Sequence, residues 1–105
     1  MISDERKERS LIYLAETDED CANLEGDVAR KEYMLDLIKD RVFLTADGNN
    51  AERQAIANTS GETSRAHEEW VQALVRLKHM KAKRATEALV IDVWRSENAN
   101  RRQAA

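Results

Sequence analysis

Two histidines, two neighbouring glutamates and one cysteine are the residues of this chain that could bind a metal ion. The segment His67-Glu68-Glu69 precedes His79, and the cysteine is Cys21. The zinc-binding pattern His-Glu-x-x-His needs a second histidine where this chain has Val71. We therefore interpret the histidines as exposed helix residues and Cys21 as a small apolar side chain in a helix–helix contact. No metal and no cofactor is expected.

Catalytic patterns are also missing. No serine, cysteine or threonine can be assigned to a set of nucleophile, base and orienting group. The glycines Gly26, Gly48 and Gly61 stand too far apart to form a phosphate-binding loop. Long helices offer few concave pockets that exclude water. The sequence therefore predicts a protein that is not an enzyme.

A basic segment, Arg76–Arg84, contains no acid and could contact phosphate groups or an acidic partner. Its candidate binding residues are Lys78, Lys81, Lys83 and Arg84. The net charge of the chain is −3, which argues against nucleic-acid binding through bulk charge. The alternative interpretation is a solvated helix face that an acidic helix opposite neutralises.

A second candidate site lies near the C-terminus, where Trp94, Arg95, Arg101 and Arg102 occur together. A tryptophan beside arginines is suited to stacking on bases or to anchoring a protein partner. The alternative is a tryptophan in a helix interface, followed by a basic helix end that interacts favourably with the helix dipole.

Two helical arms must position these residues. The first arm is predicted from about residue 4 to 45, with Ser3 as N-cap. Its apolar positions follow a heptad pattern with polar interruptions: Leu14, Thr17, Cys21, Leu24, Val28, Lys31, Leu35, Ile38 and Val42. Tyr13, Met34, Leu37 and Leu44 widen this surface.

Residues 46–50 form the predicted turn, with Gly48 in the left-handed region and Asn50 as the next cap. The second arm is expected from about residue 51 to 100, with an interruption near Gly61. Its apolar residues recur at helical spacing: Trp70, Leu74, Leu77, Met80, Ala85, Ala88, Ile91 and Trp94.

A short turn favours antiparallel packing of the two arms. This arrangement places Arg76–Arg84 beside Leu11–Glu19, which holds acids and no base. A hairpin of two helices has a thin core, and both arms carry apolar residues on more than one face. We therefore expect a homo-oligomer.

Composition supports the same fold class. The chain has 105 residues, no proline, 35% charged and 5% aromatic residues. This profile predicts a single all-α domain, a long coiled-coil-like antiparallel helical hairpin over residues 1–105. One cysteine excludes an internal disulfide, and neither a signal peptide nor a membrane span is recognisable. The expected location is the cytoplasm, with no membrane partner and no small-molecule substrate.

The second half resembles a group of small phage-encoded proteins. The matching segments are Gly48–Ala55, Ala85–Leu89, Ile91–Arg95 and Ala99–Arg102, which include the closing pattern Trp-Arg-x-x-x-Ala-x-Arg. The first arm matches only as a long charged helix, and relatives more often have tyrosine at the position of Trp70. The group is all-helical, and its genes tend to lie near phage single-strand annealing proteins.

The resemblance implies an accessory role in phage DNA recombination or replication inside the host. The partner would be a recombinase, a single-strand-binding protein or single-stranded DNA. A second hypothesis is a host-directed inhibitor that uses an acidic surface: Glu16, Asp18, Glu19, Asp20 and Glu25. A third is a purely structural coiled-coil assembly factor.

Overall fold

The computed structural model describes residues 1–104 and contains three helices. Helix α1 spans Asp4–Thr45, α2 spans Asn50–Thr59 and α3 spans Gly61–Ala104. Within residues 1–104 there is no β-strand, which confirms the predicted all-α class. None of these helices combines the length and apolar character that crossing a membrane requires.

Helix α1 begins as its sequence predicts. The Ser3 hydroxyl accepts a hydrogen bond from the backbone N–H of Arg6 at 3.0 Å. Asp4 and Glu5 occupy the first turn, where the positive end of the helix dipole favours acids. The predicted N-cap is therefore confirmed.

The turn after α1 depends on one residue with a positive φ angle. Gly48 has φ 110°, a conformation that side chains with a Cβ rarely adopt. The cap of α2 is Asn49, whose side chain accepts from the backbone N–H of Glu52 at 2.9 Å. The prediction of Asn50 as the cap is wrong by one residue, because Asn50 is already helical.

The second arm is interrupted at Ser60, next to the predicted Gly61. Ser60 has extended backbone angles, and its hydroxyl accepts from the backbone N–H of Thr63 at 3.1 Å. Ser60 thus ends α2 and caps α3. The helix that pairs with the 42 residues of α1 is therefore α3 with 44 residues, while α2 is a separate short segment.

The chain divides into two compact units. Unit 1 combines Met1–Asn23 with Lys78–Ala105, and unit 2 is Leu24–Leu77. In unit 1, Asp4 contacts Trp94 and Asp18 contacts Arg84, so α1 and α3 run in opposite directions. In unit 2 the ion pair of Lys31 with Glu69 and that of Arg41 with Glu62 give the same antiparallel order. The predicted antiparallel hairpin is confirmed.

Unit 2 has a small apolar core. Leu35 from α1 and Ala57 from α2 are buried together with three residues of α3, namely Ala66, Ala73 and Leu77. The predicted seam of α1 is confirmed, because all its positions from Leu14 to Val42 are buried or half-buried. The alanines let helix backbones approach closely, which gives a compact but thin core.

Unit 1 uses most of the predicted face of α3, since Met80 and Trp94 are half-buried and Ile91 is buried. Ala85 and Ala88 are exposed, whereas Arg84, Glu87 and Ile91 are half-buried or buried. The inward face of α3 in unit 1 is therefore partly charged, and the prediction that Ala85 and Ala88 pack inward is wrong.

Replacing Leu35 with alanine is expected to lower the free energy of unfolding by about 2–4 kcal/mol, because Leu35 is 5% exposed and truncation leaves a cavity. Urea unfolding followed by circular dichroism measures this loss. The control Leu89→Ala removes the same atoms from a side chain that is 61% exposed, and should change stability by less than about 0.5 kcal/mol. Equal losses in both variants would contradict the assigned core.

Candidate partner-binding surface

The residues that the sequence predicts for binding all lie on the α3 segment of unit 1. They are Lys78, Lys81, Lys83, Arg84, Trp94, Arg95, Arg101 and Arg102. Because this segment lies against residues 1–23 of α1 and its N-terminal extension, some of these side chains pack on α1 and others face solvent.

Trp94 is engaged within unit 1. Its indole N–H donates to Asp4 Oδ1 at 2.8 Å, and the ammonium of Lys7 lies 4.2 Å from the centroid of its ring. The cation–π contact covers part of one ring face. Trp94 therefore fastens the start of α1 to α3, which corresponds to the alternative interpretation of a tryptophan in a helix interface.

Arg84 also packs against α1. Its guanidinium donates to the backbone carbonyl of Leu14 at 2.9 Å and to the side chains of Thr17 and Asp18. Its side chain is half-buried. The structure thus assigns Arg84 to the helix–helix contact rather than to a surface available to phosphates. The predicted meeting of basic α3 with acidic α1 is observed in this pair.

Lys83 lies at the edge of the same contact. Its ammonium is 4.8 Å from the centroid of the Tyr13 ring, and the Tyr13 hydroxyl donates to the sulfur of Met80 at 3.5 Å. Lys83 is exposed, but its ring contact orients the charge along α1.

A charged network that the sequence did not predict lies in the centre of unit 1. Arg6 donates two hydrogen bonds to the Glu87 carboxylate, at 2.7 and 3.0 Å. The hydroxyl of Ser10, which is fully buried, donates to the same carboxylate at 2.6 Å. The heptad spacing along α3 could have indicated this network, because the pattern continues from apolar into charged residues: Trp70, Met80, Arg84 and Glu87.

This network stabilises the ionised form of Glu87. The hydrogen bond from Arg6 is the largest cause and that from Ser10 the next, and together they lower the pKa of Glu87 from its usual 4.5 to about 2. The same bond to Glu87 raises the pKa of Arg6. Both groups are therefore charged in the folded protein near neutral pH, and they neutralise one another.

The remaining predicted cations are exposed. Arg95 makes a loose ion pair with Asp92 at 3.6 Å, and Arg101 and Arg102 occupy the last turn of α3. Lys78 and Lys81 are exposed on the preceding turns. These side chains extend the positive charge along α3.

An apolar stripe runs along one side of the same α3 segment. Ala82, Ala85, Leu89 and Val93 follow one another at spacings of three or four residues and therefore share one side of α3. Leu89 is 61% exposed and Val93 is 39% exposed. We call Lys78 and these four residues the outer face of α3. It lies opposite the face that contacts α1 in unit 1.

Metal binding finds no support in the part of the chain that the structure describes. Residues 1–104 contain no group of three or more histidine, cysteine, aspartate or glutamate side chains that could hold an ion. His67 packs at 5.8 Å from Trp70, measured between ring centroids, and Cys21 is half-buried on the seam of α1.

Neither a protein-family model, nor a curated protein, nor a solved structure matches this chain. The resemblance to small phage proteins therefore stays a prediction from the sequence.

The low pKa of Glu87 predicts a specific loss of stability in acid. A carboxylate with a lowered pKa contributes its full stabilisation above its unfolded pKa, and loses it as the pH falls from about 4.5 to about 2. Thermal unfolding midpoints measured across this range should fall for the native chain. The variant Glu87→Gln should have a lower midpoint near neutral pH and a flatter dependence on pH.

The matched control is Glu68→Gln, which changes an exposed glutamate on α3. It should keep the stability and the pH dependence of the native chain. If Glu87→Gln and the native chain lost stability in parallel over this pH range, the network would contribute nothing to the native state.

Proposed function

We propose that this chain is a non-enzymatic accessory protein of phage DNA recombination or replication, and that it binds an acidic protein partner through the outer face of α3. The phage context comes from the resemblance of the second half of the sequence. The observation that supports the binding surface is the exposed pair Leu89 and Val93, which share one side of α3. Cations occupy other positions of the same helix segment. Exposed apolar residues surrounded by polar ones are typical of protein interfaces.

A protein partner agrees with this surface better than bare single-stranded DNA does. Non-specific binding of single strands combines cations with aromatic rings on which bases stack. Trp94, the aromatic residue of the predicted site, is engaged with Asp4 and Lys7. Leu89 and Val93 offer apolar contact area but no ring for stacking.

The charges favour a partner with an acidic helix or an acidic tail. Lys78 on the outer face would meet its carboxylates directly. The long side chains of Arg95, Arg101 and Arg102, on the flanks of the same helix, would reach them from the edge of the contact, where each pair contributes at most about 1 kcal/mol. Leu89 and Val93 would supply the buried centre. Recombinases and single-strand-binding proteins of phage or host are the candidate partners.

A second candidate function is inhibition of a host protein that binds nucleic acid. Glu16, Glu19 and Asp20 are exposed on α1 in unit 1, and residues 10–23 contain no lysine or arginine. A run of exposed acids on a rigid helix resembles the charge spacing of a phosphate backbone. Asp18 belongs to this run but also pairs with Arg84.

The variant Leu89→Glu is expected to weaken binding to the partner at least about tenfold, because it places a charge in the centre of the proposed contact. Replacing Arg95, Arg101 and Arg102 together with glutamine should weaken binding by about threefold to tenfold. Biolayer interferometry against a purified phage single-strand annealing protein, a single-strand-binding protein and a single-stranded oligonucleotide measures both effects.

The control Leu11→Glu introduces the same charge at an exposed leucine of α1, which is 44% exposed, and should leave the affinity unchanged. Equal binding of the native chain and Leu89→Glu would exclude the outer face of α3. Strong binding to the oligonucleotide alone, lost between low and moderate salt, would instead favour direct contact with DNA.

A further inference from the structure

Helix α1 carries a second seam in unit 2, on the side away from its buried seam. The residues of this outer seam are Gly26, Arg30, Tyr33, Leu37, Asp40 and Leu44. They follow one another at alternating spacings of four and three residues, which is the repeat of a coiled-coil contact. The buried seam of the same helix contains Leu35, which is 5% exposed.

The outer seam exposes large apolar side chains to solvent. Tyr33 is 65% exposed, Leu37 is 44% exposed and Leu44 is 73% exposed. Single exposed apolar residues are common, but a row of them at coiled-coil spacing is characteristic of a helix that packs against a second helix.

The order of residues in this seam is self-complementary. When the seam is placed antiparallel on a copy of itself with its centre at Leu35, Tyr33 faces Leu37 of the second copy. Arg30 then faces Asp40, and Gly26 faces Leu44. We propose that two copies of this chain associate through this antiparallel contact between their α1 helices.

Charge complementarity identifies a second copy as the occupant and selects the antiparallel direction. The side chain of Arg30 is 71% exposed and has only a long ion pair, 4.0 Å, with Asp27. Asp40 is exposed and pairs with no residue among those that the structure describes. Antiparallel packing forms two Arg30–Asp40 pairs, whereas parallel packing would place Arg30 on Arg30 and Asp40 on Asp40.

Side-chain size is complementary at the ends of the seam. A Cβ at Gly26 would lie 3.3 Å from a guanidinium nitrogen of Arg30, so in the single chain Arg30 lies over the glycine. When Arg30 turns towards Asp40 of the second copy, it leaves a notch above Gly26. Leu44 of the second copy, the most exposed leucine of the seam, fills that notch.

The contact is short, since the 18 residue steps from Gly26 to Leu44 extend over about 27 Å of helix. A single helix face of this length falls in the class of small, weak interfaces, so association is expected in the micromolar range. This inference specifies the surface for the homo-oligomer that the sequence predicts. It does not depend on the partner proposed for α3.

Charge reversal tests the pairing. Sedimentation velocity of the native chain from about 1 to about 200 µM should show a reversible monomer–dimer equilibrium. Arg30→Asp and Asp40→Arg should each lower the association constant at least about fivefold, because like charges then face each other. An equimolar mixture of the two variants should recover dimerisation, since both pairs are again opposite in sign.

The control Arg9→Asp makes the same charge change at an exposed residue of unit 1 and should leave dimerisation unchanged. A chain that stays monomeric over the whole range would overturn the proposal. So would a dimer that Arg30→Asp leaves intact, or a mixture that does not recover. Circular dichroism checks that each variant keeps its helix content, so that loss of association is not loss of folding.

Disulfide formation tests the direction of the contact. In a Cys21→Ser background, a mixture of Gly26→Cys and Leu44→Cys chains should form crosslinked dimers on mild oxidation, while neither variant alone should do so. Crosslinking of each variant alone would indicate a parallel contact and overturn the antiparallel one. Because the four tested seam residues, Gly26, Arg30, Asp40 and Leu44, lie in unit 2, a failure here leaves binding through α3 to be judged by Leu89→Glu alone.

Discussion

Pairing of charges between α1 and α3 is the constraint on which unit 1 depends. The heptad repeat of α3 directs Arg84 and Glu87 towards α1, where an unpaired charge would be costly. Arg6 and Ser10 satisfy Glu87, and Thr17 and Asp18 satisfy Arg84. Sliding one helix along the other by a single turn would separate both sets, so these bonds fix the register of the helix pair more than they add to its stability.

Unit 2 solves the same packing problem with apolar residues. Ala57, Ala66 and Ala73 fill the contact that Leu35 and Leu77 complete. Apolar contacts of this kind are less specific in register than paired charges, because an alanine stripe accepts more than one offset. Specificity in unit 2 comes from the break at Ser60, which fixes where α3 begins, and from the α2 residue Ala57.

The sequence predicted the course of α1 because its seam is apolar and regular. On α3 it misassigned Ala85 and Ala88, because alanine looked more suitable for a core than Arg84 and Glu87 do. When both residues of a charged pair lie inside a helix–helix contact, residue spacing along the helix indicates the buried face better than apolar character does.

The sequence predicted only part of the candidate site, because residue type does not show which side chains are already paired within the chain. Trp94 and Arg84 have the chemistry of binding residues, and only the structure shows that they already donate hydrogen bonds to Asp4 and Asp18. Arg95, Arg101 and Arg102 are exposed as a binding surface requires.

The N-cap of α2 was predicted one residue too late, because Asn49 and Asn50 have equal ability to accept a hydrogen bond from an N-terminal backbone N–H.

The same principle of paired charges accounts for the outer seam of α1. A helix whose inner seam is already covered gains nothing within its own chain from Tyr33, Leu37 and Leu44, yet exposing them to water is unfavourable. Arg30 and Asp40 interrupt this row at symmetric positions about Leu35. Their charges keep the seam solvated in the single chain, and their symmetry lets the seam pair with a second copy of itself. In the proposed dimer, charged residues inside an apolar seam thus do between chains what Arg84 and Glu87 do within one, which is to select a single register from many that would bury similar area.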